Sequence, residues 1–204
     1  MILGVLGGSF DPFHAGHLAM AEAVLERGLA TRLVVVPAAR SPHKARCAAP
    51  ATDRLAMARA ALAGLPAATV SDREVRRGGT SYTVATLEEL AGLHPGARLR
   101  LVIGADNLPA FATWRAPERI LELAEIVVFA RPGSPLALPP EMVGRVLTVP
   151  DLAVPVSATE VRALVAAGGD PADLVPPAVR DYIVSHGLYR TPATPARGEG
   201  AGED

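Results

Sequence analysis

The chain has 204 residues, 50% of them hydrophobic and 20% charged, with a formal net charge of −1. That balance gives one soluble globular domain with a sizeable core, and it excludes a disordered chain or a broadly basic nucleic-acid binder. Lys44 is the only lysine and Cys47 the only cysteine, which excludes a Gly-Lys-Ser/Thr phosphate loop, a disulfide framework and a multi-cysteine metal site.

Residues 2–6 are wholly apolar and end in Gly7-Gly8, as for a strand buried on both faces. Residues 16–27 read as a helix, with Leu18, Ala21, Val24 and Leu25 at helical spacing. Residues 33–37 form a second buried strand stopped by Pro37, and residues 52–63 a helix with Thr52 or Asp53 available to cap it. A weak strand at 68–70 precedes a helix over 81–93, where Ser81 is the expected cap. Residues 99–104 and 126–130 are further strands, separated by a short helix over 117–124 with proline in its first turn. A last strand at 145–149 leads to closing helices over 158–167 and 177–186.

Strands alternating with helices predict an α/β fold: a single, doubly wound, mostly parallel sheet with helices on both faces. The domain runs over residues 1–190, and residues 191–204, made of Pro, Gly, Ala, Thr and charged residues, read as a disordered tail. No apolar run is long enough to span a bilayer, and the N-terminus lacks a positive segment and a cleavage site. A cytoplasmic protein is the default expectation.

Ligands of such a sheet bind beyond the carboxyl ends of the strands, where strand order reverses. The first loop there is Gly7-Gly8-Ser9-Phe10-Asp11-Pro12-Phe13-His14-Ala15-Gly16-His17. Two glycines behind a buried strand let the backbone approach a phosphate, and the following helix adds its positive end. The loop is not the Gly-x-Gly-x-x-Gly dinucleotide fingerprint, which disfavours a plain dehydrogenase. His14 and His17 can donate hydrogen bonds to phosphoryl oxygens as charge develops. A zinc pair would need a third ligand, which neither His43, His94 and His186 nor the isolated Cys47 supplies convincingly.

The segment GGSFDPFHAGHL resembles the ATP-binding signature of the His-x-Gly-His nucleotidyltransferases. Ser41-Pro42-His43-Lys44, Thr80 to Val84, Ile103 to Asn107, Thr113-Trp114-Arg115, Val156 to Arg162 and the ending Gly187-Leu188-Tyr189 follow in family order. Together they are similar to the bacterial nicotinate-nucleotide adenylyltransferases, over residues 1–190. The resemblance implies a Rossmann-like nucleotidyltransferase fold. It also implies attack by the 5′-phosphate of nicotinate mononucleotide on the α-phosphorus of ATP, giving deamido-NAD and pyrophosphate.

On that resemblance, His14, His17, Lys44 and Arg162 carry the catalysis, neutralising the phosphates. Gly7, Gly8, Ser9 and Phe10 line the ATP site, Gly104 and Asp106 receive the adenosine, and Ser157 and Thr159 add hydroxyls near the β- and γ-phosphates. Arg162 is expected in the first turn of its helix. Ala158 stands where the family commonly has a hydroxyl residue, so one contact of that motif is in doubt. Tyr82, Thr83, Trp114 and Arg115 are the expected pyridine pocket, with Trp114 stacking on the nicotinate ring.

Mg²⁺ is expected to accompany ATP and keep most of its waters, with no protein metal cage. Asp11 is within reach of it through water, although Phe-Asp-Pro reads first as a turn. ATP and nicotinate mononucleotide are the expected partners, with no nucleic acid or membrane, and self-association stays open. Competing readings change the acceptor, to nicotinamide mononucleotide, phosphopantetheine or a cytidylyltransferase substrate, or drop catalysis for nucleotide sensing. A sensor is expected to have lost one of His14, His17, Lys44 or Arg162, and this sequence retains all four.

Overall fold

The computed structural model describes residues 1–42, 47–130, 138, 142–150 and 155–191. His43, Lys44 and all of the expected tail beyond Thr191 lie outside the described residues.

Strand β1 (Ile2–Gly8) leads through α1 (Ala15–Glu26) to β2 (Arg32–Pro37), and through α2 (Ala51–Ala61) to β3 (Ala68–Val70). Helices α3 (Arg73–Arg77) and α4 (Thr83–Leu93) return the chain to β4 (Arg98–Gly104). A 3₁₀ segment (Ala105–Thr113) and α5 (Pro117–Leu123) precede β5 (Ala124–Phe129) and β6 (Val146–Val149). Helices α6 (Ala158–Ala166) and α7 (Pro177–Ser185) follow. The sheet order is β3-β2-β1-β4-β5-β6, and every pairing is parallel. The expected mostly parallel sheet is therefore wholly parallel.

The apolar runs explain the layering. Leu3 and Val5 of β1, Val34 and Val36 of β2, and Leu101 and Ile103 of β4 face one side. There they meet Val84, Leu87 and Leu90 of α4 and Ile120 of α5. The intervening Leu6, Leu33, Val35 and Val102 face the other side, against Ala21 and Val24 of α1 and Ala58 of α2. A strand covered on both faces needs apolar residues at consecutive positions, which is why these strands read as unbroken runs. Each such Leu or Val stabilises the fold by about 1.5–3 kcal/mol relative to exposure. A third cluster joins Met57 of α2 to Val161, Val165, Val179 and Ile183 of α6 and α7, so the closing helices pack on the outside of α2.

Local signals misplaced two caps and missed two short elements. Helix α2 starts after Pro50 with no side-chain cap; Thr52 and Asp53 lie inside it, and Asp53 instead accepts a 2.9 Å bond from the Tyr182 hydroxyl. Helix α4 begins at Thr83, and the Ser81 hydroxyl accepts the Ala39 amide at 3.0 Å rather than capping the helix. Helix α3 was hidden by its charge: Arg73 and Arg76 are held by Glu89 at 2.9 Å and Asp72 at 3.0 Å. The 3₁₀ segment carries Pro109 and occupies what the sequence presented as a loop. Among the described residues, no helix is long and apolar enough to cross a membrane.

The chain steps outward from β1 to β2 and β3, then crosses back to lay β4 on the opposite side of β1. Connections diverge between these two strands, and a crevice opens beyond their carboxyl ends.

Candidate active site

Beyond β1 and β4 lies a cavity of about 910 Å³, within the usual range for small-molecule sites. It is lined from four directions: the β1–α1 loop, the loop after β2, the N-terminal end of α4 with the segment after β4, and the start of α6.

Gly7 and Gly8 form its floor at the end of β1. A Cβ on Gly8 would lie 2.9 Å from the Phe10 ring, so this position needs glycine for a packing reason. Phe10 is buried, with its backbone in the left-handed region (φ 48°), and its ring meets His17 edge-on at 4.9 Å and Phe13 at 5.2 Å. Its ring thus forms the wall behind His17. Because that ring has no space to retreat, Gly8→Ala is expected to destabilise the protein by about 1–3 kcal/mol. Urea unfolding measures this, and an unchanged midpoint would show that the ring yields.

His14 ends the loop as the N-cap of α1, and His17 sits one turn in. The His14 backbone N–H donates to His17 Nδ1 at 3.2 Å, which places the proton of the neutral His17 ring on Nε2. The two imidazoles stack at 3.6 Å, and both line the cavity. The helix N-terminus beside them adds a partial positive charge.

Asp11 is 4% exposed and stands in the turn its sequence suggested, while its carboxylate reaches beyond that turn. It accepts the Ala48 and Ala49 amides at 2.7 and 3.0 Å and the Tyr189 hydroxyl at 2.9 Å. Burial, then the adjacent Asp11 carboxylate, push the Tyr189 hydroxyl well above the ordinary tyrosine pKa, so it stays a donor. The chain beyond α7 is thereby tied to the floor of the cleft. Arg162 reaches the same loop, donating to the Asp11 carbonyl at 2.7 Å and to the Thr159 hydroxyl at 3.2 Å. It occupies the second turn of α6 rather than the expected first. Ser157 caps that helix, accepting the Glu160 amide at 3.2 Å.

Asp106 lines the cavity above Gly104, where a Cβ would come within 2.5 Å of the carboxylate oxygen. Asn107 donates to the Gly104 carbonyl at 3.2 Å and closes the strand end. Across the cavity, Trp114 ends the 3₁₀ segment, half-buried against Phe111 with ring centroids 5.4 Å apart. Arg115 lies 4.7 Å over the Tyr82 ring, a cation–π contact that presents Tyr82, Thr83 and Trp114 as one wall.

Every candidate residue among those described borders this one cavity; Lys44 lies outside the described residues. Two groups escaped the sequence reading. Glu74, 6% exposed, lines the cavity and accepts a hydrogen bond from the Thr86 hydroxyl. Arg54, 1% exposed, lies beneath the first loop; its one sequence signal was its place on the same face of α2 as Met57 and Ala58.

The cytidylyltransferase-like family model matches residues 5–164. The fold and this cleft therefore place the chain in the cytidylyltransferase-like class of nucleotidyltransferases. A probable nicotinate-nucleotide adenylyltransferase of Bordetella avium is 42% identical over 195 residues, covering 92% of this chain and 98% of the relative. One from Symbiobacterium thermophilum is 40% identical over 210 residues, covering 98% of each. The chain belongs to the nicotinate-nucleotide adenylyltransferase family. The nicotinic acid mononucleotide adenylyltransferase of Plasmodium falciparum, solved with NaAD, has the same fold, with a TM-score of 0.77 at 17% identity over 92% of this chain and 96% of that one.

Proposed function

We propose that the protein transfers the adenylyl group of ATP to nicotinate mononucleotide, releasing pyrophosphate. The observation that carries this reading is one cavity with phosphate-binding chemistry at one end and an aromatic slot at the other. His14, His17 and Arg162 border the first end, and Trp114, Tyr82 and Arg115 the second.

A 5′-phosphate oxygen of the mononucleotide attacks the α-phosphorus, and the bond from that phosphorus to the pyrophosphate oxygen breaks. No covalent enzyme intermediate is needed, so catalysis rests on alignment and on stabilising charge where it develops. The His17 Nε2–H donates to the phosphoryl oxygens, with His14 stacked beside it. Arg162 and the amide end of α6 hold the β- and γ-phosphates, with Ser157 and Thr159 alongside, and Lys44 adds positive charge. Gly7, Gly8, Ser9 and Phe10 line the phosphate path, while Gly104 and Asp106 take the adenosine. Trp114 stacks on the pyridine ring, and Tyr82, Thr83 and Arg115 meet its carboxylate.

Mg²⁺ fits this site as an ion carried by the nucleotide phosphates, where it neutralises charge. The Asp11 oxygens already accept two amides and a hydroxyl, and the described residues hold no group of three His, Cys, Asp or Glu suited to a metal. Residues 1–190 constitute the transferase unit, working in the cytoplasm.

The test offers ATP and Mg²⁺ with nicotinate mononucleotide or nicotinamide mononucleotide and measures pyrophosphate release. Faster release with the acid is expected. Release with neither overturns the reading, and faster turnover of the amide overturns the acceptor. Trp114→Ala is expected to raise KM for the mononucleotide about ten-fold, the scale of a lost aromatic stack of about 1–1.5 kcal/mol, with kcat little changed. An unaltered KM would assign Trp114 to packing on Phe111 alone.

A further inference from the structure

A guanidinium buried to 1% exposure is costly unless its donors are satisfied, and Arg54 is satisfied in an unusual way. Its Nε donates to the Ala49 carbonyl at 3.2 Å, Nη1 to the Ser9 carbonyl at 2.6 Å and Nη2 to the Ala39 carbonyl at 2.9 Å. All three acceptors are neutral, and they come from three segments: the loop after β1, the loop after β2 and the entry to α2. An apolar residue would fill the same space without the desolvation cost, so packing alone does not explain a cation here.

The geometry at Ser9 supplies a reason. The Ser9–Phe10 peptide is trans, because the cis bond of this loop is Asp11–Pro12. In a trans peptide the carbonyl and the following N–H point in opposite directions. Arg54 lies outside the cavity lining, whereas Ser9 and Phe10 border it. Drawing the Ser9 carbonyl toward Arg54 turns the Phe10 N–H toward the cleft. The neighbouring Gly8 carbonyl is held as well, by the Ala38 amide at 2.9 Å. Phe10 has a φ of 48°, a region that a non-glycine residue occupies only when its surroundings hold it there. The Arg54 fork provides that hold.

We infer that Arg54 is a positioning residue for the transferred nucleotide: it fixes the first loop so that the Phe10 amide faces the triphosphate, and it sets a buried positive charge behind that loop. This rests on the adenylyl-transfer reading for its substrate. Lysine cannot replace it, because one ammonium does not span three carbonyls in the plane of a guanidinium fork.

The test uses the full chain with Arg54→Lys and Arg54→Ala, assayed where circular dichroism shows each variant folded. In both, kcat/KM for ATP is expected to fall about 100-fold, the scale of losing one aligned backbone donor. KM for nicotinate mononucleotide stays at the wild-type value. Ethylguanidinium is expected to restore part of the Arg54→Ala activity, and ethylammonium, of equal charge, is not. A folded Arg54→Lys with wild-type ATP kinetics overturns the inference, as does a loss shared equally by both substrates.

A measurement on the wild-type protein covers the case in which the variants do not fold. Inorganic tripolyphosphate titrated into ¹⁵N-labelled protein is expected to shift the Phe10 amide resonance, and an unshifted Phe10 overturns the inference. That titration needs no acceptor. Failure of pyrophosphate release with nicotinate mononucleotide would therefore count against the proposed reaction and leave the Arg54 result readable.

Discussion

Replacing His17 with alanine is expected to lower kcat by about 10²–10³-fold, the usual effect of removing one donor aimed at developing negative charge. KM for nicotinate mononucleotide should change little, because the aromatic slot at Trp114 lies at the other end of the cavity. Two further variants separate the two nitrogens of this ring. His17 Nδ1 accepts the His14 amide at the start of α1, which puts the ring proton on Nε2, the nitrogen proposed to donate to phosphate. Asparagine places an acceptor near Nδ1 and nothing at Nε2, whereas glutamine reaches the Nε2 position and abandons the cap. His17→Asn should keep thermal stability and lose kcat. His17→Gln should retain more of kcat and lose about 1 kcal/mol of stability, the typical worth of an N-terminal capping bond. Steady-state kinetics with thermal unfolding measure both. If His17→Asn turns over at the wild-type rate, His17 acts as a cap and the phosphate role belongs elsewhere.

The sequence showed the strands because their burial is symmetrical. Residues 33–37 and 126–130 have covers on both faces, so their apolar runs carry the assignment without help from partners. Polar positions behaved differently. Ser81 and Asp53 look like caps in any local window, yet their partners are Ala39 and Tyr182, 42 and 129 residues away in the chain. The same separation hid the supports of the site. The motif residues His14, His17 and Trp114 stand next to helix ends, and Arg162 follows shortly after the Ser157 cap, within a local window that a one-dimensional reading can find. Asp11 is bound by Tyr189 from 178 residues away and Arg54 by Ser9 from 45, distances at which no periodicity or spacing carries a signal. The motif residues that border the cleft were legible, and the ties that hold its loops from beneath were not. That division follows from the fold, since a cleft at a topological switch point gathers loops that are remote in sequence.

Arg162 belongs to both groups, and its substitution should show it. A guanidinium carries five N–H donors, and here one bond goes to the Asp11 carbonyl at 2.7 Å and one to the Thr159 hydroxyl at 3.2 Å. The remaining donors are available for a phosphate beside the amide end of α6. A hydrogen bond to a charged group contributes about 1.5–3 kcal/mol, so losing even one phosphate bond predicts about a ten- to hundred-fold fall in kcat/KM for ATP in Arg162→Ala. The lost tie to Asp11 loosens the loop bearing His14 and His17, which should lower kcat as well as weaken ATP. Arg162→Lys keeps the charge and gives up the fork, so it should recover part of the ATP affinity and little of kcat. The check is steady-state kinetics with ATP varied at saturating nicotinate mononucleotide. If Arg162→Ala loses thermal stability but keeps its ATP kinetics, the side chain is only a staple on Asp11. The β- and γ-phosphates would then have to be held by the amide end of α6 and by Lys44.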